Sequence, residues 1–158
     1  MQTIRCKNNY GVYVELPKSK FEKRPCVYAI LRNNGKILVC KTKSTGKLWF
    51  PGGGVDEGET HKQALARECM EEAGIINMEI KRLIYDVQNY FYYKPDDLAM
   101  DAQLSFYECF TKQTAFKQNH EIDDEEAVDF EWVEANGIQK SDLNDLNEEI
   151  YKILQLLR

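Results

Sequence analysis

Long apolar runs are missing from this chain: no stretch approaches the roughly 20 residues that a membrane-spanning helix needs. The opening segment, MQTIRCKNNY, has no apolar core after a basic start, so it is not expected to act as a secretion signal. Histidine is scarce, with only His61 and His120, and neither stands beside a cysteine pair. The five cysteines (Cys6, Cys26, Cys40, Cys69 and Cys109) are odd in number, scattered and without a C-x-x-C pair. That pattern excludes a disulfide framework, argues against structural zinc and predicts reduced thiols in a cytoplasmic protein. Basic excess is missing too. A net charge of −5 argues against nucleic acid as a partner, because such binding needs cationic surface to displace counterions. Repeats and Gly-, Pro- or Ser-rich linkers are absent, so residues 1–158 are expected to form one domain.

What is present is an ordinary globular composition, 43% hydrophobic and 30% charged, at a length that can bury a core. Cys26–Leu31 and Lys36–Lys41 read as strands joined by a turn at Asn33-Asn34-Gly35, preceded by a weaker strand at 11–16. Pro51-Gly52-Gly53-Gly54 reads as a loop. Thr60 is placed to cap a helix running to about Ala73, with Gly74 as its C-terminal cap. Further strands are expected at 78–87, 103–111 and 128–133. Ser141 is expected to open a second helix, on which Leu143, Leu146, Ile150, Leu154 and Leu157 recur at helical spacing. Strands, loop, helix, strands and helix in that order predict an α/β domain, a mixed sheet covered by helices on both faces.

On a helical wheel, Leu65, Ala66, Cys69, Met70 and Ala73 share one arc, suited to the core. Glu68, Glu71 and Glu72 share another, at spacings of three and four that make them neighbours. Crowded carboxylates repel one another, so the cluster adds nothing to helix stability. Taken alone it could be a solvated face, but hard cations such as magnesium bind through a few carboxylates plus substrate phosphates. The glycines before the helix let backbone approach a ligand closely.

The segment Gly53–Ile75, GGVDEGETHKQALARECMEEAGI, resembles the signature box of the Nudix family (MutT-like hydrolases). The family pattern is a glycine, five residues, a glutamate, seven residues, Arg-Glu, an aliphatic, any residue, Glu-Glu, any residue, a glycine and an aliphatic. Gly53, Glu59, Arg67, Glu68, Cys69, Glu71, Glu72, Gly74 and Ile75 fill those positions. Only Cys69 departs from the pattern, and cysteine packs as a small hydrophobe. Leu48-Trp49-Phe50-Pro51-Gly52 resembles the approach to that box.

The resemblance implies the family's α/β/α sandwich, a magnesium cofactor (manganese as a substitute) and hydrolysis of a phosphoanhydride in a nucleotide-type substrate. It assigns metal ligation to Glu68 and Glu72, with Glu71 binding metal or positioning the attacking water. The Gly53 carbonyl often completes the set, and Arg67 and Glu59 brace it. The proton acceptor is either a box glutamate or an acid of the run Glu121-Ile122-Asp123-Asp124-Glu125-Glu126, since many relatives draw it from a later loop.

Substrate preference in the family is set outside the box. The fifteenth residue past Ile75 is Tyr90, where relatives acting on ADP-ribose tend to have proline. Tyr92 and Tyr93 follow at seventeen and eighteen, the window where dinucleoside-polyphosphate hydrolases place tyrosine. They are the candidate substrate-binding residues, able to stack on a purine, though aromatics in a strand often serve the core. Nucleoside triphosphates and dinucleoside polyphosphates both remain open. The expected partner is a small nucleotide, with no membrane; the resemblance also admits a homodimer. The alternatives are a catalytically silent nucleotide- or metabolite-binding module, the isopentenyl diphosphate isomerase branch with a catalytic cysteine, and RNA decapping.

Overall fold

The computed structural model describes residues 1–115, 127–143 and 148–157. Strand β1 (Thr3–Asn8) and β2 (Tyr13–Pro17) form an N-terminal hairpin. Strand β3 (Phe21–Asn33) turns into β4 (Lys36–Thr42) through Asn34 and Gly35, both at positive φ (49° and 80°), the conformation a tight two-residue hairpin requires. Two short strands follow, β5 (Leu48–Trp49) and β6 (Gly52–Gly54). Helix α1 (His61–Ala73) leads to the long antiparallel pair β7 (Glu79–Tyr93) and β8 (Leu98–Phe110). Strand β9 (Ala127–Glu134) and helix α2 (Glu148–Leu156) complete the described chain.

The sheet runs β2-β1-β7-β8-β3-β4-β5, with β6 added to β3 and β9 to β4. Pairing is parallel for β1–β7 and β3–β8 and antiparallel elsewhere. Helix α1 packs on β3 and β6, and α2 on β7, so the fold is the expected α/β arrangement of a mixed sheet with helices. Strands β3 and β4 pair only next to their turn, at Arg32–Ile37 and Asn33–Lys36. Beyond that they diverge: β3 takes β6 as its neighbour, while β4 takes β5 and β9. The fork between them is the feature that makes room for a site.

The core fills with Val27, Ile30, Leu31, Leu38, Phe50, Leu65, Phe106, Ile150 and Leu154, all essentially inaccessible. Glu108 is buried on β8 between two arginines, accepting from Arg32 Nη1 at 2.6 Å and Arg82 Nε at 2.9 Å. Burial opposes ionisation of Glu108, but the two guanidinium groups outweigh it and hold the carboxyl below its ordinary range. Arg32 Nη2 also donates to the Leu157 carbonyl at 2.6 Å, tying the end of α2 to the sheet.

Four expectations need correction. The glycine run is a strand rather than a loop: Gly52, Gly53 and Gly54 pair with Tyr28, Val27 and Cys26. A Cβ on Gly52 would sit 2.1 Å from the Val27 carbonyl oxygen, so only a residue without a side chain can come this close. Ser141 does not open a helix. It lies in a single 3-10 turn, after which Leu143 is extended, buried and bridged to Leu48; α2 is described from Glu148. Leu146 lies outside the described residues. The strand expected to end at Val87 is β7 and continues six residues further, so it takes in the tyrosine run. Finally, Ala66 and Met70 are exposed, and the buried stripe of α1 is Ala64, Leu65, Cys69 and Ala73. At about 100° per residue, Glu68 and Glu72 then lie between Ala64 and Leu65, on the sheet-facing side.

Candidate active site

Helix α1 is fixed at both ends by its own sequence. Thr60 Oγ1 accepts from Gln63 N at 3.2 Å, while the Gln63 side chain accepts from Thr60 N at 2.9 Å, a reciprocal capping box. Gly74 closes the other end in the left-handed region at φ 67°. This frame holds Glu68 and Glu72 over β6, where the glycines leave a gap. A Cβ on Gly53 would fall 2.7 Å from Glu68 Oε1, so the carboxylate occupies the space that glycine vacates. Gly52 N donates to Glu72 Oε2 at 2.9 Å.

Arg67 gathers the acids. Its Nε and Nη2 donate to the two oxygens of Glu59 at 2.8 and 2.9 Å, a two-pronged pair. Nη1 reaches Glu68 Oε1 at 2.8 Å and Glu71 Oε2 at 3.4 Å, and Nη2 also reaches the Gly54 carbonyl at 3.0 Å. Glu59 takes a further bond from Asp56 N at 3.0 Å. The Arg67 guanidinium and that amide pull the Glu59 carboxyl down to about 2. Hydrogen bonds to Glu59 and Glu68 raise Arg67 above its already high value. Burial pushes Glu68 up against the opposing pull of Arg67, consistent with a side chain only 15% exposed. Glu71 is 51% exposed and lies on the flank.

Glu68, Glu71 and Glu72 open onto a cavity of about 730 Å³. Its floor carries Cys26 and Tyr28 of β3, Cys40 and Thr42 of β4, and Trp49 of β5, so it occupies the β3–β4 fork. The Tyr28 ring stacks on Phe106 at 5.2 Å and meets the edge of Trp49 at 5.5 Å, giving a firm aromatic base. Asn89, Phe91 and Tyr93 of β7 line one wall, and Lys7–Gly11 of the hairpin form a rim.

The structure thus brings Gly53, Glu59, Arg67, Glu68, Glu71 and Glu72 together. It separates the tyrosines, because neighbours on a strand face opposite ways. Tyr93 lines the cavity; Tyr92 does not, and its hydroxyl donates to Asp97 Oδ1 at 2.6 Å with Lys20 Nζ 5.4 Å from its ring. Tyr90 meets the edge of Phe21 at 5.3 Å. The acidic run 121–126 lies outside the described residues. Two contributors were not foreseen in the sequence. The N-terminal hairpin carries no motif there, and Arg24, which packs against Gly54, is an exposed arginine like any other until β6 is seen beneath it.

The donors suit a hard divalent ion. They are carboxylate oxygens beside a glycine cradle, although among the described residues no three acids are drawn into a ready cage. Magnesium does not demand one, since it binds through one or two carboxylates and substrate phosphates.

Residues 22–157 match the NUDIX domain family, and the chain belongs to it. Among curated relatives, an RNA pyrophosphohydrolase of Sphingopyxis alaskensis is 37% identical over 82 residues, half of this chain and 52% of that protein. An RNA pyrophosphohydrolase of Vibrio atlanticus is 40% identical over 52 residues, 33% of this chain and 30% of that protein. The chain thus spans about a third to a half of the length of these relatives. Among solved structures, the MutT protein of Methanosarcina mazei superposes with a TM-score of 0.62 at 21% identity, covering 87% of this chain and 96% of that one. An ADP-ribose pyrophosphatase of Streptococcus suis gives 0.61 at 19%, covering 85% and 92%. These likenesses establish the fold.

Proposed function

We propose that the chain is a magnesium-dependent hydrolase that cleaves a phosphoanhydride bond of a nucleotide substrate, with manganese as a substitute ion. The observation that carries this reading is the position of Glu68 and Glu72: two carboxylates on the sheet-facing side of α1, opening onto a cavity of about 730 Å³ with aromatic walls. Arg67 braces Glu68 and the Gly52 amide braces Glu72, and carboxylates held this way beside a cavity suit a hard cation. Glu68, Glu72 and the Gly53 carbonyl would hold the ion, with Glu71 at its edge. When bound, the ion supplies charge neutralisation for diphosphate oxygens and lowers the pKa of a water.

The remaining work falls to side chains. Arg67 keeps Glu68 turned toward β6, and Glu59 keeps Arg67 in place. Glu71 meets Arg67 only at 3.4 Å and is half exposed, which leaves it free to take the proton of the attacking water. The water oxygen forms the new bond to phosphorus, the bridging P–O bond breaks, and the departing phosphate carries the electron pair. Arg24, exposed beside Gly54, would add positive charge next to the glycine strand.

The cavity volume suits a nucleoside triphosphate or one end of a dinucleoside polyphosphate. The names of the curated relatives favour a second reading, the 5′-triphosphate end of RNA, which presents the same chemistry on a longer chain. The net charge of −5 weighs against tight RNA binding. Cys26 and Cys40 line the cavity, but burial raises both thiols, which disfavours a catalytic thiolate and so an isomerase. Five buried, unpaired cysteines suit a reducing cytoplasm, and no described helix is long and apolar enough to cross a membrane.

The test is incubation with magnesium and a panel of nucleoside triphosphates, dinucleoside polyphosphates, ADP-ribose, nucleotide sugars and a 5′-triphosphorylated RNA oligomer, beside Glu72→Gln. Cleavage of one class, lost in the variant, supports the reading. Binding that raises the melting temperature without any cleavage would make the chain a nucleotide-binding module instead.

A further inference from the structure

The N-terminal hairpin lies outside the segment that matches the family, yet its tip forms part of the cavity rim. The tip is built to be rigid. Asn8 Oδ1 accepts from Tyr10 N at 2.9 Å and from Val12 N at 3.0 Å, and Asn8 N donates to the Val12 carbonyl at 2.9 Å. Gly11 completes the turn at φ 77°. Asn9 fastens it to β7: its amide donates to the Tyr92 carbonyl, and its Oδ1 accepts from Lys94 N, both at 3.2 Å. Asn8 and Asn9 are accordingly 7% and 5% exposed, unusual burial for asparagine in a turn.

Tyr10, Val12 and Tyr13 are all exposed here, and of the three only Tyr10, at 61% exposure, lines the cavity. Among the described residues its ring meets no other ring and its hydroxyl has no hydrogen-bond partner. Ordering a chain around an unpartnered aromatic costs conformational entropy without return from the fold itself. On β7, three residues before the Tyr92 that Asn9 binds, Asn89 lines the same cavity, partly buried, with its side-chain amide making no hydrogen bond to a described residue.

We infer that Tyr10 and Asn89 form the nucleobase subsite: the base stacks on the Tyr10 ring, and the Asn89 amide reads its edge. The inference rests on the hydrolase reading for the position of the phosphates, at Glu68 and Glu72. Two strands, β7 and β8, separate β1 from β3. At about 4.8 Å per inter-strand step, the hairpin stands about 14 Å from β3 along the sheet, a distance a nucleotide spans from base to terminal phosphate. An amide offers both a donor and an acceptor, so it can discriminate between purines by their edge groups.

The experiment is calorimetric titration of the full chain with AMP, GMP and ribose 5-phosphate, for the parent, Tyr10→Ala, Tyr10→Phe and Asn89→Ala. Binding does not require turnover, so the outcome is independent of whether any bond is cut. Stacking on one aromatic predicts that Tyr10→Ala weakens both mononucleotides by about fivefold to a hundredfold. Tyr10→Phe retains their affinity, and ribose 5-phosphate is unaffected by either change. Asn89→Ala narrows the difference between AMP and GMP. Equal mononucleotide affinity for the parent and Tyr10→Ala overturns the subsite, as does an equal loss for ribose 5-phosphate. If the parent cuts no nucleotide yet the base-dependent pattern appears, the hydrolase reading fails and the subsite stands.

Discussion

The backbone N–H of Gly52 donates to Oε2 of Glu72 at 2.9 Å, joining the glycine strand to the last turn of α1. An amide oxygen can accept that bond as well as a carboxylate oxygen can, but it carries no charge for a cation. Glu72→Gln should therefore keep its melting temperature within a few degrees of the parent while kcat/KM falls at least about a hundredfold. Magnesium titration beside thermal melts tests this, and a variant that unfolds or stays fully active contradicts it.

Adjacent glycines should fail in different ways. In Gly52→Ala the new Cβ meets the Val27 carbonyl oxygen at 2.1 Å, at a φ of 149° that side chains avoid. A cost of about 3 kcal/mol or more is expected, read as loss of melting temperature. In Gly53→Ala the Cβ meets the end of the Glu68 side chain at 2.7 Å, which can swing aside. That variant should fold nearly as well and lose activity. If both lose only stability, Gly53 has no part in the chemistry.

Arg67→Lys removes the two-pronged grip on Glu59, because an ammonium cannot match the planar fork. Activity should fall about tenfold to a hundredfold, with a higher magnesium concentration needed for half-maximal rate. An unchanged magnesium requirement would reduce Arg67 to a surface ion pair.

Folding draws the Glu59 carboxyl from about 4.5 to about 2, so this group stabilises the fold above pH 4.5 and its contribution fades as pH falls toward 2. Glu59→Gln should show a shallower fall in stability than the parent across that window when both are unfolded with urea. Parallel curves would mean that the Arg67–Glu59 pair contributes nothing to folding.

Far from the cavity, Glu108→Ala leaves Arg32 and Arg82 facing each other without their shared anion. A loss of about 3 kcal/mol is expected, a fall of about 6–12 °C in melting temperature for a chain of this size. Turnover measured well below the melting range should match the parent.

The carboxylate stretch was legible because its signals are local. Thr60 with Gln63, Gly74, and acids three and four apart each follow from helix geometry. The rest depended on contacts distant in sequence. Gly52–Gly54 lack side chains to mark a strand, and only their close approach to Val27 makes them one. Leu143 is pulled straight by its bridge to Leu48, which the helical spacing of the leucines could not register. The wheel placed Glu68, Glu71 and Glu72 together correctly. It could not tell that two of them face the sheet, since glycines beneath them offer room that periodicity does not encode. The Thr3–Asn8 strand escaped notice because only Cys6 and Asn8 are buried in it, too few to print an alternation.

The hairpin adjoins the rest of the sheet through a short parallel contact, Lys7 and Asn8 against Phe91 and Tyr92. Such a narrow join behaves as a cassette. Substitutions across residues 3–17 can change how firmly a base is stacked while the carboxylate helix, its arginine brace and Asn89 stay untouched. The family signature and the stacking platform are then carried by different stretches of one chain, and a graft of this hairpin onto a related scaffold would carry the platform with it.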